Sequence, residues 1–296
     1  MYVSGACPLS HSVILVRKLK GLEDTIGMSS LSATWQPLSH DDSSGDRGWV
    51  FADDCAKNSL LEGKSSCWGE ADPVNGHHSL KDMYDAAGDT MGEYSLPVLW
   101  DKNEKTIVSN KTFDIMRMMN NAFNTLCSNP DFDLYPEQNR KEIDAVNDWI
   151  YHSLNLGVIR CGFAETQEEY DSAIDDLTES FDRIDFILKR KRFISGPLFT
   201  ESDIRLFATL LRFDEVYYVY YKTNTRRVST CESILSYMRE IYQMDKIAET
   251  CDMDLIKTHY YTSHVELNRH CIIPKGSGFL ALLKESHNRD EYEYLS

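Results

Sequence analysis

The sequence is short of positive charge. Its 31 Lys and Arg stand against 47 Asp and Glu, a net charge of −16 with histidine neutral. Such a balance argues against a nucleic-acid or anionic-membrane partner, because both would be repelled. No apolar run is long enough to span a bilayer, and the N-terminus carries no signal-peptide pattern. The eight cysteines include no Cys-x-x-Cys pair and no metal-ligand spacing. They read as reduced thiols of a cytoplasmic protein that holds no metal. Internal repeats are missing too. What is there is an acidic globular chain of 296 residues, long enough for one or two domains with ample core.

The chain is organised around residues 2–21. Tyr2 and Val3 read as the end of a strand, and Ser4 and Gly5 as a turn. Pro8 suits the first turn of a helix, where its missing N–H costs nothing. Val13, Ile14, Val16 and Leu19 then recur at near-helical spacing, and Gly21 marks the stop. Cys7 therefore falls at a strand-to-helix junction. Unpaired N–H groups and the helix dipole favour a thiolate there. A thiol that merely packs is the plainer reading of a lone cysteine. Cys-Pro at a helix start after a strand favours the reactive reading.

Residues 25–31 read as a second strand. Residues 39–75, rich in Ser, Asp and Gly, form a long excursion around Trp49-Val50-Phe51. A short helix is expected over 80–87. Leu96-Pro97-Val98-Leu99-Trp100-Asp101 is a strand opened by proline, and Thr106-Ile107-Val108 completes a hairpin with it. Residues 112–123 carry Ile115, Met118, Met119 and Phe123 on one helical face. This order is that of a thioredoxin-like domain, assigned here to residues 1–126. A linker over 127–136 follows, and 137–296 reads as helical. Apolar stripes mark helices over 137–154 and 170–188. Thr200 and Asp203 form a capping box, with Phe199 placed to staple Ile204. Helices over 230–242 and 252–264 follow. The tail from Lys284 is polar and expected to be loosely held.

Several segments, in order, resemble the glutathionyl-hydroquinone reductases, the Xi-class branch of the glutathione transferases. That family shows Cys-Pro-Trp-Ala-His-Arg, then Thr-Leu-Ile-Val-Arg, then Leu-Lys-Gly-Leu-Glu. This chain has Cys7-Pro8-Leu9-Ser10-His11-Ser12, then Val13-Ile14-Leu15-Val16-Arg17, then Leu19-Lys20-Gly21-Leu22-Glu23. The likeness continues through Leu96-Pro97-Val98-Leu99-Trp100-Asp101-Lys102, Arg160-Cys161-Gly162-Phe163-Ala164, Asp203-Ile204-Arg205-Leu206-Phe207, Arg212-Phe213-Asp214 and His259-Tyr260. It implies an N-terminal thioredoxin-like domain followed by an all-helical glutathione-transferase domain with an extended tail. It also implies a homodimer.

By this resemblance Cys7 is the nucleophile. Its thiolate removes glutathione from a glutathionyl-hydroquinone or a mixed disulfide, and a second glutathione resolves the Cys7 mixed disulfide. Tyr217 and Tyr260 correspond to tyrosines that hydrogen-bond towards that sulfur. Trp49 corresponds to a tryptophan lying against glutathione. The Leu96-Pro97 bond would be cis, leaving the Leu96 backbone free to pair with a thiol peptide. Lys111 and Thr112 stand where the family grips the γ-glutamyl end with Glu-Ser. His11, one helical turn after Cys7, either tunes it or packs.

The departures bear on activity. Glu93 stands where the family has arginine. Thr112 keeps a hydroxyl at a helix N-terminus and can hold a carboxylate. Lys111 cannot accept a hydrogen bond from an ammonium group and would repel it. Glu93 and Lys111 together are either a re-matched site or a pair with each other. Ile159 replaces the tyrosine that would donate a proton, and Leu9 and Ser12 replace Trp and Arg. The alternative to an enzyme is a transferase-fold protein that binds a thiol ligand or partner with impaired turnover. Family members generally carry a longer segment before this first strand, so either the sequence is short at this end or the strand is frayed.

Overall fold

Residues 1–38, 45–52, 69–89 and 91–294 are described by a computed structural model of the protein. The chain divides into two units: Met1–Ser128 with Asp252–Pro274, and Asn129–Cys251 with Lys275–Ser296.

In the first unit, β1 (Tyr2–Val3) runs parallel to β2 (Ser29–Ser30). Its other edge exchanges two hydrogen bonds with Val98. Tyr2 N–H donates to the Val98 carbonyl at 2.8 Å, and Val98 N–H returns one to Tyr2 at 3.0 Å. β5 (Leu99–Asp101) then pairs antiparallel with β6 (Thr106–Ser109). The first strand is not frayed, since Tyr2 and Val3 are buried and bonded on both sides. The second strand is shorter than expected, because Thr25 and Ile26 N–H groups both donate to the Leu22 carbonyl in a turn.

The helix α1 (Pro8–Leu19) buries Val13, Leu15 and Val16. It stops at Gly21, where φ is +64° and an added Cβ would lie 1.7 Å from Ser128 Oγ. A capping box of Ser79 and Asp82 starts α2 (Leu80–Ala86). The buried cluster beneath it includes Tyr2, Phe51, Met83, Tyr84, Leu96 and Trp100. The helix α3 (Thr112–Asn121) buries Ile115 and Met119 and packs against α1. A small hairpin of β3 (Gln36–Pro37) and β4 (Arg47–Gly48) leads to Trp49. Most of the expected 39–75 excursion lies outside the described residues.

The helix α10 (Met253–Ser263) also belongs to this unit. Asp252 caps it by accepting from Leu255 N–H at 2.9 Å. Buried bonds join it to the 33–35 segment. Thr262 and Thr34 hydroxyls lie 2.7 Å apart, and Trp35 N–H donates to Ser263 Oγ at 3.1 Å.

The second unit is helical. The expected 137–154 helix is α4 (Arg140–Trp149) running into a π-helical turn, Ile150–Asn155. Then come α5 (Leu156–Gly162), α6 (Gln167–Leu188) and α7 (Glu201–Leu210). A second π turn, Phe213–Tyr217, leads to α8 (Tyr218–Tyr220), α9 (Glu232–Gln243) and α11 (Phe279–Leu282). The thioredoxin-like unit and the helical unit match the fold class expected. The Thr200–Asp203 capping box is present, and every residue of α7 is buried. Phe199 stacks at 6.3 Å on Phe132 and edge-on at 5.5 Å to Phe193.

The described part of the tail is anchored around Arg289, against the loose hold expected. Arg289 is completely buried and donates to the Leu188 carbonyl at 2.8 Å and to the Arg192 carbonyl at 2.6 Å. A guanidinium fits there because the last carbonyls of α6 have no helical partners. Gln243 adds bonds to the Leu283 and Glu285 carbonyls.

Candidate functional site

Cys7 occupies the N-cap of α1 with extended backbone, φ −74° and ψ 126°, and Pro8 takes the first helical position. Its N–H donates to the Ser4 carbonyl at 3.1 Å, and its carbonyl accepts from His11 N–H at 2.9 Å. Its thiol makes no capping bond, and the residue is partly exposed. The six described cysteines are all free thiols. Burial pushes Cys161 up to about 11 and Cys251 up to about 12, so those two are unsuited to attack near neutral pH. Cys231 is raised as well, chiefly by burial. His11 is wholly buried within α1.

The turn presenting Cys7 lies against α10. A Cβ on Gly5 would come within 2.9 Å of Leu255 Cδ2, so glycine permits the approach. Tyr260 lies further along the same helix and is buried. Its neighbour His259 reaches Trp49. The two rings are parallel within 15°, with centroids 4.6 Å apart. Trp35 stands edge-on to Trp49 at 6.0 Å and to His259 at 5.9 Å. Cys7, Trp49 and Tyr260 thus belong to one unit and are all tied to α10 or the turn beside it. Reading the sequence passed over His259 as an individual. Its only signal was its place next to Tyr260.

The Leu96–Pro97 bond is cis, and both residues are buried. Among the described residues, the Leu96 backbone makes no hydrogen bond, whereas Val98 is paired to β1. Thr112 is buried at the first position of α3. Lys111, the N-cap, is exposed and makes no side-chain capping bond. Glu93 is exposed too, and among the described residues no ion pair joins it to Lys111.

Tyr217 and Ile159 lie in the second unit. Tyr217 closes the π turn, is 2% exposed, and stacks on Tyr221 at 5.6 Å and 16°. The turn is pinned by its own acids. Asp214 accepts from Val228 and Ser229 N–H at 2.8 and 3.0 Å, and Glu215 from Ser277 and Phe279 N–H at 3.0 and 2.8 Å. Such turns recur at functional sites, and apolar periodicity does not reveal them. Ile159 is 46% exposed and lines a surface cavity of about 910 Å³ with Arg160, Phe163 and Thr166. Among the described residues, no three His, Cys, Asp or Glu side chains are grouped to hold a metal, and no helix is long and apolar enough to cross a membrane.

Residues 167–231 match the family model described as glutathione S-transferase, C-terminal domain. With the thioredoxin-like unit before it, this defines the class of protein as a glutathione transferase. The glutathionyl-hydroquinone reductase YqjG of Escherichia coli is 39% identical over 291 residues, covering 98% of this chain and 82% of the relative. The glutathione-bound structure of YqjG superposes with a TM-score of 0.86 at 38% identity, over 98% of this chain and 87% of that one. Glutathione transferase Xi 1 from Trametes versicolor superposes with a TM-score of 0.82 at 38% identity, over 94% and 90%. The chain belongs to the glutathionyl-hydroquinone reductase family, Xi-class glutathione transferases.

Proposed function

We propose that the protein takes glutathione off glutathionyl-hydroquinones and mixed disulfides through a Cys7 mixed disulfide. The observation that carries this reading is a thiol with no capping bond at the N-terminus of α1, in a unit that also holds a Leu96 backbone with no hydrogen-bond partner among the described residues, beside a cis proline. Glutathione is a peptide, and its backbone is the natural partner of that edge. Trp49 lies against it, Leu96 and Pro97 hold its cysteinyl part, and Thr112 at the start of α3 takes its γ-glutamyl carboxylate. Lys111 contributes no acceptor to the ammonium group.

In the first step the Cys7 thiolate attacks the glutathione sulfur. The sulfur–sulfur bond forms as the sulfur–carbon bond to the ring breaks. The bonding electrons stay with the ring carbon, which takes up a proton and leaves as hydroquinone. A second glutathione thiolate then attacks the Cys7 disulfide, releasing Cys7 and glutathione disulfide. Tyr260, in the same unit as Cys7, stabilises the thiolate by hydrogen bonding, and Tyr217 is the second tyrosine that the family resemblance implies for this role. Ile159 supplies no proton, so the first step is slow with aryl thioethers and faster with disulfides, whose leaving group is a thiolate. A cytoplasmic homodimer is part of this reading, as the resemblance implies.

Substituting Cys7→Ser tests it. Both activities should vanish. Activity retained by the serine variant would overturn the mechanism. Glu93, Lys111 and Ile159 favour the second reading, a protein that binds a thiol ligand without turning it over. That reading requires glutathione to bind while no Cys7 adduct ever forms.

A further inference from the structure

His259 has no step of its own in the mechanism, but it stands edge-on to Tyr260 at 5.3 Å and is held on several sides. Its ring is buried, 5% exposed. Its Nδ1 lies 2.8 Å from the Ala33 carbonyl and 3.1 Å from Ser263 Oγ. A carbonyl can only accept, so Nδ1 carries the proton and the ring's plane is set from below. Ala33 is itself fixed, because Thr34 is bonded to Thr262 and Trp35 N–H to Ser263. Onto this ring Trp49 stacks at 4.6 Å and 15°. Trp35 closes the side, edge-on to Trp49, to His259 and, at 4.6 Å, to His264. Arg47 in turn holds the Trp35 carbonyl at 2.9 Å.

Trp49 follows β4 directly. Its backbone carbonyl accepts from Leu80 N–H at 2.9 Å, which fixes the chain. The indole packs in part on the buried cluster that includes Tyr2 and Phe51, and the His259 stack and the Trp35 edge set its plane.

We infer that His259 is a positioning residue for glutathione: its imidazole, oriented by the Ala33 carbonyl, holds the Trp49 indole in the plane against which the ligand lies. This rests on the reading of Trp49 as a glutathione contact. The ligand then meets a wall that is already ordered, and binding pays less to immobilise it. His259 acts through Trp49 and takes no part in bond making.

Two variants separate stack from bond. His259→Phe keeps a flat ring and loses the bond to Ala33. His259→Asn keeps an N–H for Ala33 and loses the ring. Calorimetric titration with glutathione should show the dissociation constant raised about tenfold for Asn and at most about threefold for Phe, the scale of one aromatic pair. In turnover the Asn loss should appear in KM, with kcat changed less than about twofold. Acrylamide quenching of tryptophan fluorescence should strengthen in Asn and not in Phe, because only Asn strips the flat ring that covers one face of Trp49. Wild-type affinity in Asn, or a loss larger in Phe than in Asn, overturns the proposal. Trp49→Leu distinguishes the two levels. If it binds glutathione as tightly as the wild type, the reading of Trp49 fails. If it binds weakly while Asn binds normally, only the role of His259 fails.

Discussion

At the scale of single residues, three positions decide how far the family's chemistry is kept. A general acid contributes about 10²–10⁴-fold. Ile159→Tyr should therefore raise hydroquinone release, by up to about 10²-fold, and raise disulfide exchange much less, since a thiolate leaving group needs the acid less. Stopped-flow release of hydroquinone measures this, and no gain would mean that position 159 does not reach the leaving group. Glu93 and Lys111 are exposed and unpaired with each other, so both are open to a ligand. The double change Glu93→Arg with Lys111→Glu restores the family's charges. A hydrogen bond to a charged group contributes about 1.5–3 kcal/mol, so glutathione should bind at least about tenfold more tightly. Equal calorimetric affinities would show that these side chains do not face the ligand.

At the scale of elements, two stabilising features carry predictions. Asp203 is fully buried, and burial pushes its carboxyl up to about 6 against bonds from Ile194 N–H, Thr200 N–H and the Tyr237 and Thr200 hydroxyls. With its pKa raised in the fold, its contribution is fully present below the unfolded value near 3.8 and is lost as pH rises through about 6. The Tm gap between the wild type and Asp203→Asn should therefore widen as pH falls from about 7 to about 5. A flat gap would mean that the bonds offset the burial. Arg289→Met leaves the carbonyls of Leu188, Lys191 and Arg192 without their donor. It should cost about 1–3 kcal/mol in denaturant unfolding, and a change under about 0.5 kcal/mol would return the tail to the loosely held state its composition suggests. The capping boxes and the Cys-Pro helix start were legible because each needs only neighbours in sequence. The grip of Arg289 was not, since its partners lie about a hundred residues away and a charged tail reads as solvated. The π turns were equally hidden, because each is a short segment inside a helical stretch and helical periodicity does not single it out.

At the scale of the whole molecule, reading the chain in order misses one crossing. Helical periodicity marks 252–264 as a helix but says nothing about which unit it packs with. The structure assigns Asp252–Pro274 to the first unit. There it supplies Tyr260, the His259 stack under Trp49, and Leu255 against the turn that presents Cys7. The thiol, the cis proline and the two matched residues Trp49 and Tyr260 were each visible in sequence, because local motifs and the family likeness mark them. That Trp49, Tyr260 and the turn presenting Cys7 all meet on one late helix was not.

The central claim is that Cys7 carries glutathione as a mixed disulfide. The direct measurement is mass spectrometry of the protein after brief exposure to a glutathionyl-hydroquinone, with no free glutathione present to resolve the adduct. One glutathione per chain, mapped to the peptide containing Cys7 and released by added thiol, is the predicted result. An unmodified Cys7, or an adduct equally spread over Cys127 and Cys231, would contradict it.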